Sequence, residues 1–324
     1  MYAIRYHETG DPDVLRWEQL DLPAPGVGEV LIKNTAIGVG LKETGERKGT
    51  YPCPPLPAIP GITAAAEVLD TGPEVTDLNP GDRVAYAGLP AGSYCDQRVM
   101  PAERLVRLPD DIDDTTAAAI FHKGMTARFL VRKTYAIRAG EAVLVHAAAG
   151  GVGLLLCQWA KHLGATVIGT VSTDAKAEVA AANGCDYPIV YSRDDFVAAV
   201  RDVTGGVGVP VVYDSIGKDT FSKSLECLQP LGLMVLYGIA SGHPPPLELM
   251  KFDIWKSYFY TRPSFYVHTK TREDLLESAE DLFEVVLNGA VKATISEQYP
   301  LKDAAEAHRA IESRRTTGSV ILIP

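Results

Sequence analysis

The residues with the clearest chemical promise lie in Val143-Leu144-Val145-His146-Ala147-Ala148-Ala149-Gly150-Gly151-Val152-Gly153, where an apolar run enters a glycine-rich turn. Such a turn suits a pyrophosphate. One glycine lets the chain turn, one lets the backbone approach the phosphates, and one lets helix and strand pack closely. The helix that follows adds unpaired N–H groups and a partial positive charge. The motif sits in a strand–turn–helix context within a βαβ unit of about 30 residues, the setting that separates a dinucleotide site from an ordinary loop. The end of the second strand bears on which dinucleotide. A carboxylate there would hold a ribose 2′-hydroxyl, but the chain reads Gly169-Thr170-Val171-Ser172-Thr173, and the first acid is Asp174. Ser172, Lys176 and Tyr191, with Arg193 close by, offer hydroxyls and cations that suit a 2′-phosphate. NADPH is the expected cofactor. Lys176 also has a plainer reading, a solvated helix residue, and that alternative stays open.

These groups need a scaffold. Ala142–His146 is an apolar run suited to burial on both faces. Gly151–Leu163 places Val152, Leu155, Leu156, Trp159 and Leu163 at helical spacing. Strands are expected at Thr166–Val171, Pro188–Tyr191, Val209–Asp214 and Leu233–Tyr237, and helices at Phe196–Val203 and Phe221–Leu228. That alternation is the signature of a doubly wound parallel α/β sheet. The first hundred residues differ. Short β-like runs (Glu29–Lys33, Ala65–Leu69, Arg83–Ala87) are punctuated by turns such as Pro80-Gly81-Asp82, which suggests a barrel-like β domain. After about Pro263 a helix and a closing strand, Ser319–Ile323, return to the first domain, leaving the α/β part as an insertion.

Composition narrows the function classes. At 324 residues the chain is long enough for two domains, because single cores stop growing at roughly 250–300 residues. A net charge of −10 argues against nucleic acid as a partner, since phosphate binding needs a positive face. No apolar run approaches the roughly 18 residues of a membrane span, and Met1–Arg16, broken by His7, Glu8, Asp11 and Asp13, does not read as a signal peptide. A cytoplasmic protein is expected. The five cysteines are scattered without a C-x-x-C pair, which suits packed thiols better than a zinc ribbon or a disulfide framework.

Taken together, these segments resemble the zinc-less quinone oxidoreductases, the zeta-crystallin-like branch of the medium-chain dehydrogenase/reductase superfamily. The resemblance is carried by Ala36-Ile37-Gly38-Val39, Pro80-Gly81-Asp82-Arg83-Val84, Lys123-Gly124-Met125-Thr126-Ala127 and His146–Gly153. It continues through Gln158-Trp159-Ala160-Lys161, Val212-Tyr213-Asp214-Ser215-Ile216-Gly217 and Glu312-Ser313-Arg314. It implies a Rossmann doubly wound parallel sheet (121–263) inserted into a GroES-like β domain (1–120 plus 264–324), with NADPH and the acceptor in the cleft between them. Zinc-dependent relatives carry a Gly-His-Glu element where this chain reads Pro60-Gly61-Ile62-Thr63-Ala64, so no metal is expected. Without a Lewis acid, what remains is hydride delivery to an acceptor that is already electrophilic, a quinone or an enone.

The resemblance also implies roles. Gly124 and Thr126 lie near the nicotinamide, and Ala148, Gly150, Gly151 and Val152 hold the pyrophosphate. Ser172, Lys176 and Tyr191 line the adenosine phosphate, with Arg314 adding charge, while Ser215, Tyr237 and Gly238 follow the cofactor groove. Lys123 either orients substrate or caps nearby carbonyls, and Tyr51 is a candidate proton source. The acceptor loop departs from the family. The family's Asn falls on Gly40 and its Tyr on Gly45, removing an amide and an aromatic wall, and a further family Tyr falls on Arg128. The altered pocket, formed by Gly40, Lys42, Gly45, Arg47, Tyr51 and Arg128, is expected to be enlarged and recharged for a different acceptor. A loop that has drifted and kept little quinone activity is the competing explanation. Three functions follow: quinone reduction, reduction of the C=C bond of enals or enones, or a crystallin-like NADPH-binding protein with little catalysis. Relatives join Rossmann sheets edge to edge, so a homodimer or homotetramer is expected.

Overall fold

The computed structural model describes residues 1–248, 250 and 254–324. It contains two compact units. One comprises Met1–Met125, Thr269–Leu287 and Ala293–Pro324; the other comprises Thr126–His268 and Asn288–Lys292. The border falls inside the helix Asp114–Phe129 rather than at its start. The first part of that helix belongs to the first unit, where Phe121 stacks on Phe283 of the helix Arg272–Leu287 with ring centroids 5.9 Å apart.

The first unit is built on a seven-stranded sheet. Its path runs Ile295–Pro300, Ser319–Ile323, Glu29–Val39, Thr63–Thr71, Arg83–Ala87 and Val106–Arg107, and Gln97–Pro101 also pairs with Glu29–Val39. The central strand is longer than the expected Glu29–Lys33 because it serves three partners. It does so by bending. Register shifts at Leu31/Ile32 and Asn34/Ala36 let its first half meet one neighbour and its second half another. The C-terminal strand pairs antiparallel with it, Ile321 opposite Gly38, so the end of the chain completes the unit that the beginning started. Ile32, Ile37, Val68, Val84, Val320 and Leu322 form the core. One buried polar side chain sits among them without penalty: the Asn34 amide donates to the Ser93 and Cys95 carbonyls and accepts from the Tyr86 hydroxyl.

The second unit is a six-stranded parallel sheet. Its order is Tyr187–Val190, Thr166–Val171, Ala142–His146, Val209–Asp214, Leu228–Leu236, Phe259–Thr261. Val209–Asp214 is buried along its whole length, as expected of a strand covered on both faces. Helices Gly151–His162, Asp174–Ala182, Phe196–Val203 and Phe221–Cys227 make the crossovers. The chain winds outward from Ala142–His146 in one direction, then returns to that strand's other side with Val209–Asp214. That reversal is the switch point at which doubly wound sheets bind ligands. The strand expected at Leu233–Tyr237 starts earlier, at Leu228, because Val209 pairs with Leu228 and Val211 with Leu233. The intervening bulge carries Pro230 and Gly232, turn residues that hid the strand's beginning.

No helix among the described residues is long and apolar enough to cross a membrane. Leu156 is fully buried on the helix behind the glycine turn. Leu156→Ala is expected to cost about 2–5 kcal/mol of stability, read from the midpoint of urea unfolding.

Candidate functional site

The glycine turn begins where His146 ends its strand. His146 is sealed in: its two ring nitrogens lie 2.7 Å from the Thr170 hydroxyl and 2.8 Å from that of Ser224. Burial lowers its pKa, so it is a neutral structural bridge between strands and helix. Ala147 follows in the left-handed region at φ 53°, and the Gly150 N–H closes the turn onto the Ala147 carbonyl at 2.8 Å. The Ala148 N–H ties the turn to Thr170 of the neighbouring strand at 3.1 Å. The helix Gly151–His162 starts directly afterwards with Gly150 as its cap, which has no side chain to occupy the first N–H groups. A β-carbon on Gly153 would overlap the Ala147 carbonyl oxygen, so this position admits no side chain while the turn keeps its shape. The result is a cradle of N–H groups suited to an anion.

At the end of the next strand, Thr173 caps the helix Asp174–Ala182 by accepting from the Lys176 N–H, which draws Ser172 and Lys176 to one rim. Tyr191 joins them. Its N–H bonds to the Val171 carbonyl at 3.1 Å, and the Ser192 hydroxyl donates to the Ser172 carbonyl. Arg193 pairs with Asp174 at 3.1 Å, so the acid nearest the rim is already countered by a cation. Beyond the switch point, Ser215, Tyr237 and Gly238 come together at adjacent strand ends. The Tyr237 N–H bonds to the Asp214 carbonyl at 2.9 Å, and a β-carbon on Gly238 would stand 2.8 Å from the Ser215 carbonyl oxygen. Burial raises the Tyr237 hydroxyl well above its ordinary range, and a hydrogen bond with Ser215 works the other way. Asp214 is a residue that motif reading alone did not single out. Its buried carboxylate accepts from the Ile216 and Gly217 N–H groups and from the Thr220 hydroxyl, fixing the turn that carries Ser215. The signal was available: an aspartate that ends a strand and is followed by glycine three residues later favours an Asx turn.

The loop expected to meet the acceptor belongs to the first unit as the helix Leu41–Lys48, capped by Gly40. Here the structure departs from the expectation of an enlarged, recharged pocket. The space above Gly45 is filled by the Tyr51 ring, against which any β-carbon at 45 would collide. Above Gly40 lies the Glu43 carboxylate, 2.9 Å from where a β-carbon would be. Arg47 is no free charge. It is fully buried and ion-paired with Glu312, to which Lys48 also reaches at 3.0 Å. Lys42 pairs with Glu46 along its own helix. The long-range Arg47–Glu312 contact was invisible to sequence spacing because 265 positions separate the partners.

Lys123 donates to the Ser319 hydroxyl at 3.0 Å, and Ser319 in turn donates to the Ala119 carbonyl. Loss of solvent brings the Lys123 ammonium down to about 8, against a weaker upward pull from Glu43. Its neighbour His122 is pushed down to about 3 by burial, with Lys123 and Lys42 adding to the effect. Gly124 has an internal reason for lacking a side chain, since Leu282 would meet a β-carbon there at 2.5 Å. Thr126 and Arg128, both buried, lie farther along the same helix within the second unit. Arg314 is exposed in the first unit, in a left-handed turn after the helix Ala304–Glu312. The stretch Pro60–Ala64 supplies no metal-binding side chain, and among the described residues no group of three or more His, Cys, Asp or Glu side chains converges. The donor set does not fit zinc.

Comparison with known proteins gives two family matches. Residues 26–110 match the alcohol dehydrogenase GroES-like domain model, and residues 151–282 match that of the zinc-binding dehydrogenases. The chain is 44% identical to quinone oxidoreductase 1 of Escherichia coli K12, covering 99% of each chain. It is also 44% identical to the 2-haloacrylate reductase of a Burkholderia species, covering 99% of this chain and 98% of that one. The crystal structure of Escherichia coli quinone oxidoreductase complexed with NADPH matches with a TM-score of 0.97 at 43% identity, covering 100% of both chains.

Removing Arg47 leaves the Glu312 carboxylate without its buried partner. Arg47→Ala is expected to cost about 2–4 kcal/mol, measured by chemical denaturation. A loss below 0.5 kcal/mol, on the order of an exposed pair, would show that the contact carries little.

Proposed function

The chain belongs to the quinone oxidoreductase family of the medium-chain dehydrogenase/reductases, and on that footing we propose that it reduces a quinone-type acceptor with NADPH and without zinc. The observation that carries the reading is the cradle at Gly150–Gly153, which presents helix N–H groups that no side chain caps. NADPH, when bound, supplies the hydride. Gly150, Gly151 and Val152 would hold its pyrophosphate, with Ala148 at the turn; Ser172, Lys176 and Tyr191 would receive the 2′-phosphate, with Arg314 adding positive charge. Arg193 supports the same preference by countering Asp174, which would otherwise repel that phosphate. Ser215, Tyr237 and Gly238 would border the rest of the cofactor, and Gly124 and Thr126 the nicotinamide.

The acceptor would meet Gly40, Lys42, Gly45, Tyr51 and Arg128. Arg47 keeps a place near it as the buried anchor of the helix rather than as a contact. Lys123, brought down to about 8 by burial, still carries its ammonium at neutral pH, which suits a group that orients the acceptor. A second reading, reduction of an activated C=C bond, is favoured by the likeness to a 2-haloacrylate reductase. Self-association is proposed through the outer strand Phe259–Thr261, whose Phe259 and Tyr260 are exposed at the edge of the parallel sheet. The proposed setting is the cytoplasm.

The test is NADPH oxidation by metal-free protein against quinones and enones, with NADH alongside. Turnover that survives chelators supports the zinc-free reading, and the better acceptor class chooses between quinone and C=C reduction. Lys176→Ala is expected to weaken NADPH binding about tenfold, the scale of one lost charge-assisted contact, while NADH binding changes less than about twofold. Equal loss for both cofactors in fluorescence titrations would remove the 2′-phosphate role.

A further inference from the structure

The acceptor loop holds one buried titratable group to which the proposed reaction gives no task. Glu43 is 2% exposed, although it sits on a helix whose other residues include the partly solvated Lys42 and the exposed Lys48. Its carboxylate does not turn toward water. It lies over the bare face of Gly40, filling the volume that any larger side chain there would take. The amide expected at position 40 from the family resemblance is therefore replaced in space by a carboxyl, a group that carries a proton as well as accepting a hydrogen bond.

We infer that Glu43, whose carboxyl lies over Gly40, donates the proton that completes reduction of the acceptor. The inference rests on the reductase reading above. An acceptor that has received a hydride carries an added hydrogen and an electron pair on its carbonyl oxygen. The Glu43 O–H bond breaks, its proton forms the new O–H bond on that oxygen, and the product leaves as a hydroquinone or an enol. The carboxylate left behind regains a proton from water. Overall one hydride and one proton are added, and no further oxidant or reductant takes part.

The surroundings suit both states of the acid. Burial favours the neutral form and raises the Glu43 pKa, while its own backbone N–H and the Lys42 and Lys123 ammoniums favour the carboxylate. Glu46 on the same helix opposes ionisation, and the buried Tyr94 hydroxyl faces Glu43 from the segment after Gly92. His122, held neutral, contributes no charge. Burial that favours the acid form, with two cations placed to steady its anion, suits a proton donor. The plain structural alternative is a third-position helix carboxylate that only bonds local backbone.

The experiment compares wild type, Glu43→Gln and Glu43→Asp as NADPH-loaded enzymes with the best acceptor of the panel. Glu43→Gln is expected to lower kcat about 100-fold, within the usual range for a lost general acid, with NADPH affinity and Tm unchanged. Glu43→Asp should recover part of the rate. The acid form is the active one, so wild-type kcat should hold at low pH and fall as pH rises through the Glu43 titration; this limb should vanish in Glu43→Gln. Infrared spectra of the wild type should show a protonated carboxyl band that Glu43→Gln lacks. A Glu43→Gln enzyme with wild-type kcat and pH profile overturns the proposal. So does a wild type without that band at working pH, a reading that holds even if the variant fails to fold. A wild type inert toward the whole panel would fell the reductase reading and this proposal with it, whereas an active wild type indifferent to Glu43→Gln fells this proposal alone.

Discussion

The second unit depends on how closely one helix approaches the end of one strand. Gly153 packs against the Ala147 carbonyl so tightly that a single β-carbon would force them apart. Because they stay together, the helix Gly151–His162 begins immediately beyond the strand, and its first N–H groups stand at the carboxyl edge of the sheet rather than a turn away. Ala147 accepts a left-handed conformation to make this possible, and the Gly150 and Ala148 N–H groups hold it there. A strained non-glycine residue persists only where its surroundings over-determine it. Here the two hydrogen bonds and the buried helix behind them do so.

The same edge is braced from the other side of the switch point. Asp214 spends its whole carboxylate on the turn that follows it, so Ser215 is presented by a rigid loop. His146, neutral and bonded on both nitrogens, joins strand, neighbouring strand and helix below the surface. Each removes freedom from the groups beside it at the strand ends.

In the first unit the helix Leu41–Lys48 is held in part by charge. Arg47 is wholly enclosed and would be costly if unpaired. Glu312, brought from the last helix, meets it, and so the segment nearest the C-terminus holds the helix Leu41–Lys48 in place. Over Gly40 lies the Glu43 carboxylate and over Gly45 the Tyr51 ring, where side chains at 40 and 45 would otherwise stand.

How much of this was legible in the sequence divides along a physical line. Local features were readable: the apolar run of Val209–Asp214, the helical spacing from Val152 to Trp159, the glycine turn and the absence of an acid before Asp174 are all set within a few residues of one another. Periodicity and turn chemistry act over that range, so a sequence displays them directly. Strand ends were less legible where bulges interrupt pairing, as at Leu228–Leu236 and along Glu29–Val39, because register is a property of two strands and not of one. The charges were not legible at all. Lys42 and Arg47 read as free cations for an acceptor, and only the fold turned one toward Glu46 and buried the other against Glu312. Two glycines read as an emptied pocket, and only the fold brought Glu43 and Tyr51 over them. Sequence determined the folding class and the glycine turn, because short-range sterics and burial patterns decide them. Tertiary structure decided which charged groups are spent on one another, because ionisation follows from burial and from partners far away along the chain.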